Sequence, residues 1–129
     1  RVRALRDRAA QLIEVSGLAH VAHLPAGNMS GGQQKLLQFA SMLMPNPKLI
    51  LLDEPLAGIN PILIEKVIQC IEHANRELGV TFVVIEHNTD VLMGLSHRVV
   101  VLHQGTKLAD DTPDAVVGNP QVVEAYLGG

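Results

Sequence analysis

The stretch Leu49-Ile50-Leu51-Leu52-Asp53-Glu54-Pro55 constrains this chain more than any other. Four apolar residues in a row, entered from Pro45-Asn46-Pro47 and left through a proline, predict a short strand buried on both faces, as in the centre of a parallel sheet. The two carboxylates at its end do not belong to that pattern. Open α/β sheets receive ligands just beyond the carboxyl ends of their strands, which puts Asp53 and Glu54 at the mouth of such a site. Neighbours on a strand point to opposite faces, so the two acids need not share a task. One suits a magnesium ion, directly or through water, and the other an attacking water. The plainer reading is a strand that ends in solvated acids, and the stretch by itself favours it.

The segments before this strand predict two helices. Val2, Leu5, Ala9, Leu12 and Ile13 recur at helical spacing, and Gly17 is placed to stop that helix. Four arginines among the first eight residues predict a solvated face at a helix start, where they oppose the macrodipole. Leu18 to Asn28 reads as a connection. Its His20 and His23 have no cysteine or acidic partner at a metal-ligand spacing, so they read as polar loop residues rather than zinc ligands. Ser30-Gly31-Gly32-Gln33 then opens a helix that runs to about Met44, with Leu36, Leu37, Ala40, Leu43 and Met44 inward. Ser30 and Gln33 form a capping box, which accounts for both. It does not account for two glycines in a first turn, where glycine costs stability. Their N–H groups at the positive end of a helix dipole suit a phosphate.

After the central strand, Asn60-Pro61 is an N-cap followed by proline at the first helical position. The helix carries Leu63, Val67, Ile71, Ala74 and Leu78 and stops at Gly79. Val80–Ile85 is a second buried strand, ending in Glu86-His87, again with polar residues at a strand's carboxyl end. A short helix, Thr89–Leu95, leads to a strand at Arg98–Leu102, and Gln104-Gly105 turns the chain into Lys107–Ala109. Asp114–Val117 reads as a helical turn. Asn119-Pro120 caps a last helix with Val122, Val123, Tyr126 and Leu127, ended by Gly128-Gly129. Strand, helix, strand, helix, strand predicts βαβ units and a parallel sheet.

Composition narrows the function. The 129 residues suffice for one domain with an aliphatic core, being 47% apolar but only 2% aromatic. A net charge of −3 supplies no general basic field for nucleic acid. The single cysteine, Cys70, excludes an internal disulfide, suits a reducing compartment and reads as a small apolar helix residue. No apolar run approaches the ~20 residues that span a bilayer.

Three ambiguous motifs occur in order: Ser30–Gln33, the strand ending Asp53-Glu54-Pro55, and the strand ending at His87. As an ordered set the chain resembles the second half of the ATP-binding subunit of ABC transporters. On that resemblance Ser30–Gln33 corresponds to the signature motif, Leu49–Glu54 to the Walker B strand, Ala57–Asn60 to the D-loop and His87 to the switch histidine. The run Asp53-Glu54-Pro55-Leu56-Ala57-Gly58-Ile59-Asn60-Pro61 is similar to the branched-chain amino-acid importer group. So are Ile85-Glu86-His87, Gly105–Ala109 and the ending Asn119–Gly128. Met29, His97 and Asp111 depart from the usual leucine, aspartate and glycine of that group.

The resemblance implies an α/β fold: an incomplete P-loop NTPase (RecA-like) parallel sheet with flanking helices, preceded by part of the helical subdomain. Residues 1–46 would be helical subdomain and signature helix, and 47–129 the Walker B half of the core with the C-terminal helices. It implies ATP and Mg2+, with Asp53 on the metal, Glu54 polarising the attacking water and His87 steadying the γ-phosphate. Ser30, Gly31, Gly32 and Gln33 would act in trans on the ATP of a second ATPase subunit, and Gly58 and Asn60 would run along that partner. Transmembrane permease subunits, and indirectly a solute-binding protein, are the implied partners, with no nucleic acid. The implied location is cytoplasmic, peripheral on the inner face of the plasma membrane. No G-x-x-x-x-G-K-[ST] run occurs in the sequence, so the chain reads as truncated and inactive alone. The strand that leads into the P-loop would lie between Val80–Ile85 and Arg98–Leu102, so an isolated chain is expected to be molten or aggregating. Two other readings stay open: a non-transport ABC-type ATPase acting on ribosomes or nucleic acid, and a non-catalytic remnant.

Overall fold

The computed structural model describes residues 1–127, in two compact units, Arg1–Ile85 and Glu86 onward. The expected stop at Gly128-Gly129 lies outside the described residues.

In the first unit α1 spans Val2–Val15. Gly17, at φ 70°, ends it as expected. Its N–H donates to the Glu14 carbonyl at 3.0 Å and the Leu18 N–H to the Ile13 carbonyl at 2.9 Å, which satisfies the helix's last acceptors. Leu12 alone of the anticipated stripe is fully buried; Val2 and Leu5 are exposed. The arginines are not all solvated. Arg8 is half-buried and donates from Nε to the Met44 carbonyl at 3.0 Å and from Nη2 to the Leu43 carbonyl at 2.6 Å. It satisfies carbonyls at the negative end of α2, spanning Gly31–Leu43, where a cation is favoured. That contact joins residues 35 and 36 positions apart, which helical periodicity does not reveal.

Strand β1 covers Leu49–Asp53, α3 Pro61–Glu77 and β2 Thr81–Ile85. The two strands pair in parallel, Leu49 opposite Thr81 through Asp53 opposite Ile85, so β1-α3-β2 is a βαβ unit as expected. The expectation that β1 is buried on both faces fails. Ile50 and Leu52 are buried, whereas Leu49 is 53% and Leu51 70% exposed. The cause is one-sided packing. The Phe39 ring of α2 stacks on Phe82 of β2 at 6.0 Å, while Leu51, Val83 and Ile85 share the opposite, open face. Helix α3 buries Leu63, Val67, Cys70, Ile71 and Ala74, and burial pushes the Cys70 thiol up, away from the reactive thiolate.

The second unit holds α4 (Thr89–Leu95), β3 (Val99–His103), β4 (Thr106–Asp111), α5 (Pro113–Val117) and α6 (Pro120–Val122), which runs into a π-helical turn, Val123–Leu127. Gln104 (φ 48°) and Gly105 (φ 75°) make the expected two-residue hairpin turn, both in the left-handed region that a tight hairpin requires. Strand β3 pairs antiparallel with β4 and belongs to a different sheet from β1 and β2. The parallel series therefore holds for β1 and β2 and does not extend to β3. Val99, Val116 and Val122 form this unit's core with Met93, Val101 and Ala109 against them. The last helix does not bury the stripe anticipated for it: Val122 is inside, Val123 and Tyr126 are not. Tyr126 instead sets its ring edge-on to His103 and donates its hydroxyl to the Leu102 carbonyl, giving its polar tip a partner.

Candidate functional site

The start of α2 is built by its cap. The Gln33 N–H donates to Ser30 Oγ at 3.2 Å, and the Ser30 N–H donates to Gln33 Oε1 at 2.9 Å. This capping box uses both side chains and leaves the Gly31 and Gly32 N–H groups at the helix's positive end. The two glycines differ. A Cβ on Gly31 would meet nothing within 4 Å, whereas one on Gly32 would stand 3.1 Å from Leu63 Cδ2. Close helix packing therefore explains Gly32 in part, and only Gly31 is left without a packing reason.

Leu63 connects this helix start to the loop after β1. Its N–H donates to Asn60 Oδ1 at 2.9 Å, the N-cap bond of α3. Ser30–Gln33 and Asn60–Leu63 are thus brought together through the Gly32–Leu63 contact. The sequence signal for Leu63 was its place in a capped first turn, which marks a buried residue and not a contact to glycine. Between β1 and α3, Gly58 (φ 72°) supplies a left-handed residue, and the Ala57 N–H donates to the Glu54 carbonyl at 3.2 Å.

Asp53 is the last residue of β1, and both it and Glu54 are exposed. Glu54 does not continue the pleat. It adopts φ 47°, uncommon for a residue with a Cβ, while its N–H donates to the Ile85 carbonyl at 2.8 Å. The two carboxylates are separated by this reversal rather than by strand alternation, which corrects the sequence-based argument. Left-handed non-glycine residues concentrate at functional sites.

His87 belongs to the second unit and is displayed on its surface, its side chain 75% exposed. The side chain of Glu86 is 2% exposed. Glu86 Oε2 accepts from the His87 N–H at 3.1 Å and from the Asn88 N–H at 3.2 Å. Asn88 Oδ1 in turn accepts from the Val91 N–H at 3.3 Å, capping α4. Sequence reasoning passed over Glu86; an acid beside a candidate histidine at a strand end was the available signal. Among the described residues, no three His, Cys, Asp or Glu side chains group as a metal site, His20 and His23 included. An open groove of about 690 Å³ follows α2 past Gln34, Gln38 and Met42 and is not lined by the carboxylates.

Residues 4–57 match the ABC transporter family, and residues 106–129 match the branched-chain amino acid ATP-binding cassette transporter family. The chain is 38% identical over 122 residues to the high-affinity branched-chain amino acid transport ATP-binding protein LivG of Escherichia coli K12, covering 95% of this chain and 48% of LivG. It is 45% identical over 104 residues to BraG of Pseudomonas aeruginosa, covering 81% of this chain and 44% of BraG. Among solved structures, the ADP conformation of MJ1267, an ATP-binding cassette of an ABC transporter, superposes with a TM-score of 0.80 at 33% identity, over 98% of this chain and 51% of that one. The cbiO1 protein of Clostridium perfringens, part of the ABC transporter complex cbiONQ, gives 0.84 at 26% identity, over 96% and 49%. The chain spans about half the length of the relatives it matches. By these matches, and by a βαβ unit that ends in adjacent carboxylates, the chain is similar to one half of the ATP-binding proteins of ABC transporters, those of the branched-chain amino-acid group among them.

Proposed function

We propose that this chain is the signature-to-carboxyl-terminus half of the ATP-hydrolysing, energy-coupling subunit of an importer whose cargo is branched-chain amino acids. In this proposal residues 1–46 form helical subdomain and signature helix, and 47–129 the Walker B half and C-terminal helices. The observation that carries it is the end of β1, where Asp53 closes a strand and Glu54 reverses the backbone, leaving two exposed carboxylates. The names of the relatives support the cargo.

Each residue then has a distinct task. Asp53 would hold Mg2+; one exposed carboxylate fits, because that ion keeps waters and takes its other ligands from phosphates. The ion would supply charge neutralisation at the phosphates. Glu54 polarises the attacking water, and His87 steadies the γ-phosphate. The Gly31 and Gly32 N–H groups, held in place by Ser30 and Gln33, close on ATP bound by a second ATPase subunit. Gly58 and Asn60 shape the loop that runs along that partner. Phosphoryl transfer rests on positioning and charge, so few side chains suffice. With no G-x-x-x-x-G-K-[ST] in its 129 residues, the chain alone neither holds ATP tightly nor turns it over. Permease subunits receive the motion, with a solute-binding protein acting through them. Peripheral attachment at the inner face through the permease subunits is part of the proposal; no described helix is long and apolar enough to cross a membrane.

Replacing Ser30 in the complete subunit tests the trans arrangement. Ser30→Gly keeps most of the N-cap, since glycine there costs only a few tenths of a kcal/mol. It should keep the start of α2 folded, so that its turnover reports the loss of the Ser30 hydroxyl alone. Ser30→Arg places a bulky cation at the closing surface and should block turnover while sparing the ATP affinity of the open monomer. A parallel fall of monomer affinity and turnover would contradict the proposal.

A further inference from the structure

The loop from Glu86 to Asn88 carries more order than an exposed histidine needs. One carboxylate oxygen, on a side chain 2% exposed, accepts two consecutive backbone N–H groups, those of His87 and Asn88. The same oxygen lies 3.9 Å from His87 Nδ1. That is too long for a direct hydrogen bond, yet close enough for attraction between a carboxylate and a ring proton. The imidazole itself projects into solvent. A buried acid thus fixes both the backbone under the ring and the charge on one side of it.

We propose that Glu86 is the positioning residue for His87: its buried carboxylate anchors the loop and holds the ring proton on Nδ1, so that Nε2 is the nitrogen presented to the γ-phosphate and attacking water. A neutral imidazole in water favours its proton on Nε2, and a carboxylate beside Nδ1 reverses that choice. The two backbone bonds fix the main chain under the ring, and attraction between the carboxylate and Nδ1–H at 3.9 Å is what holds that nitrogen on the Glu86 side. The plainer account is that Glu86 is only a backbone staple. The two accounts part at Glu86→Gln. The amide oxygen of glutamine still accepts both N–H groups, so a staple survives, but the charge beside Nδ1 is gone.

This inference rests on the ATPase role assigned to His87, and the test separates the two. In the complete subunit, 15N spectra of the neutral His87 ring should show Nδ1–H as the main tautomer in wild type and Nε2–H in Glu86→Gln. His87 and Asn88 amide shifts should be retained in that variant. Turnover should fall on the order of tenfold in kcat with KM unchanged, as for other partners that orient a working histidine. Glu86→Ala should lose the amide shifts as well. Added to His87→Ala, Glu86→Gln should cost nothing further. Equal tautomer ratios and equal kcat in wild type and Glu86→Gln would overturn the positioning role alone. Wild-type turnover in His87→Ala would overturn the role of His87 first, and this one with it.

Discussion

Arg98 and Asp110 show how a single pair on the second hairpin converts geometry into a measurable titration. Arg98 Nε and Nη2 each reach one oxygen of Asp110 at 2.5 Å, and Lys107 Nζ reaches the second at 3.4 Å. The guanidinium hydrogen bonds beside Asp110 hold its carboxyl at about 2, below its ordinary 3.8, and Lys107 adds to the effect. A carboxylate depressed on folding contributes its stability fully above the ordinary value and loses it as pH falls through the folded one. The pair should therefore support the hairpin above about pH 4 and stop doing so near pH 2. A 13C titration of Asp110 should give a midpoint near 2, moving back toward the ordinary range in Arg98→Ala; an unchanged midpoint would remove Arg98 as the cause. At this scale the sequence was legible where neighbours along the chain set the conformation, as in the Ser30–Gln33 box or the cap of Asn60. Glu86, whose partners are its own neighbours, was legible but passed over, whereas the sequence was illegible for Arg8 and the reversal at Glu54. Those depend on carbonyls and ladders that only the folded chain brings near.

Among the elements, β1, α3 and β2 were readable because apolar run, cap and glycine stop agreed on one answer. Helix α2 was readable in its cap and less so in its packing, since Phe39 sits outside the stripe anticipated yet is buried against β2. The two glycines that open α2 give a sharp element-scale test. Gly31→Ala enters open space, and the lower helix cost of alanine should leave stability unchanged or slightly raised. Gly32→Val must displace Leu63 in the first turn of α3, an overpacking that costs about 1–3 kcal/mol. Urea unfolding of both variants in the complete subunit measures the difference. Equal stabilities would mean that the α2–α3 contact yields freely and does not hold Ser30–Gln33 against Asn60–Leu63.

For the whole molecule, the sheet of β1 and β2 explains the failure of the fully buried strand. A continuous apolar run cannot say how many layers cover it, and here Leu49, Leu51, Val83 and Ile85 stand exposed on one face. The same limit hid the division of strands into two sheets, because β3 reads like β2 until pairing partners are known. What the sequence did carry was the order of three strand-end and helix-start motifs, and the family resemblance rests on that order. In the proposed function the acids closing β1 are the working end of an ATPase. That role is tested most directly by Glu54→Gln in the complete subunit, measuring steady-state ATP turnover and ATP binding together. The amide keeps the shape and loses the charge that activates water, so turnover should fall on the order of a hundredfold or more with binding retained. Turnover within a few-fold of wild type would contradict the account.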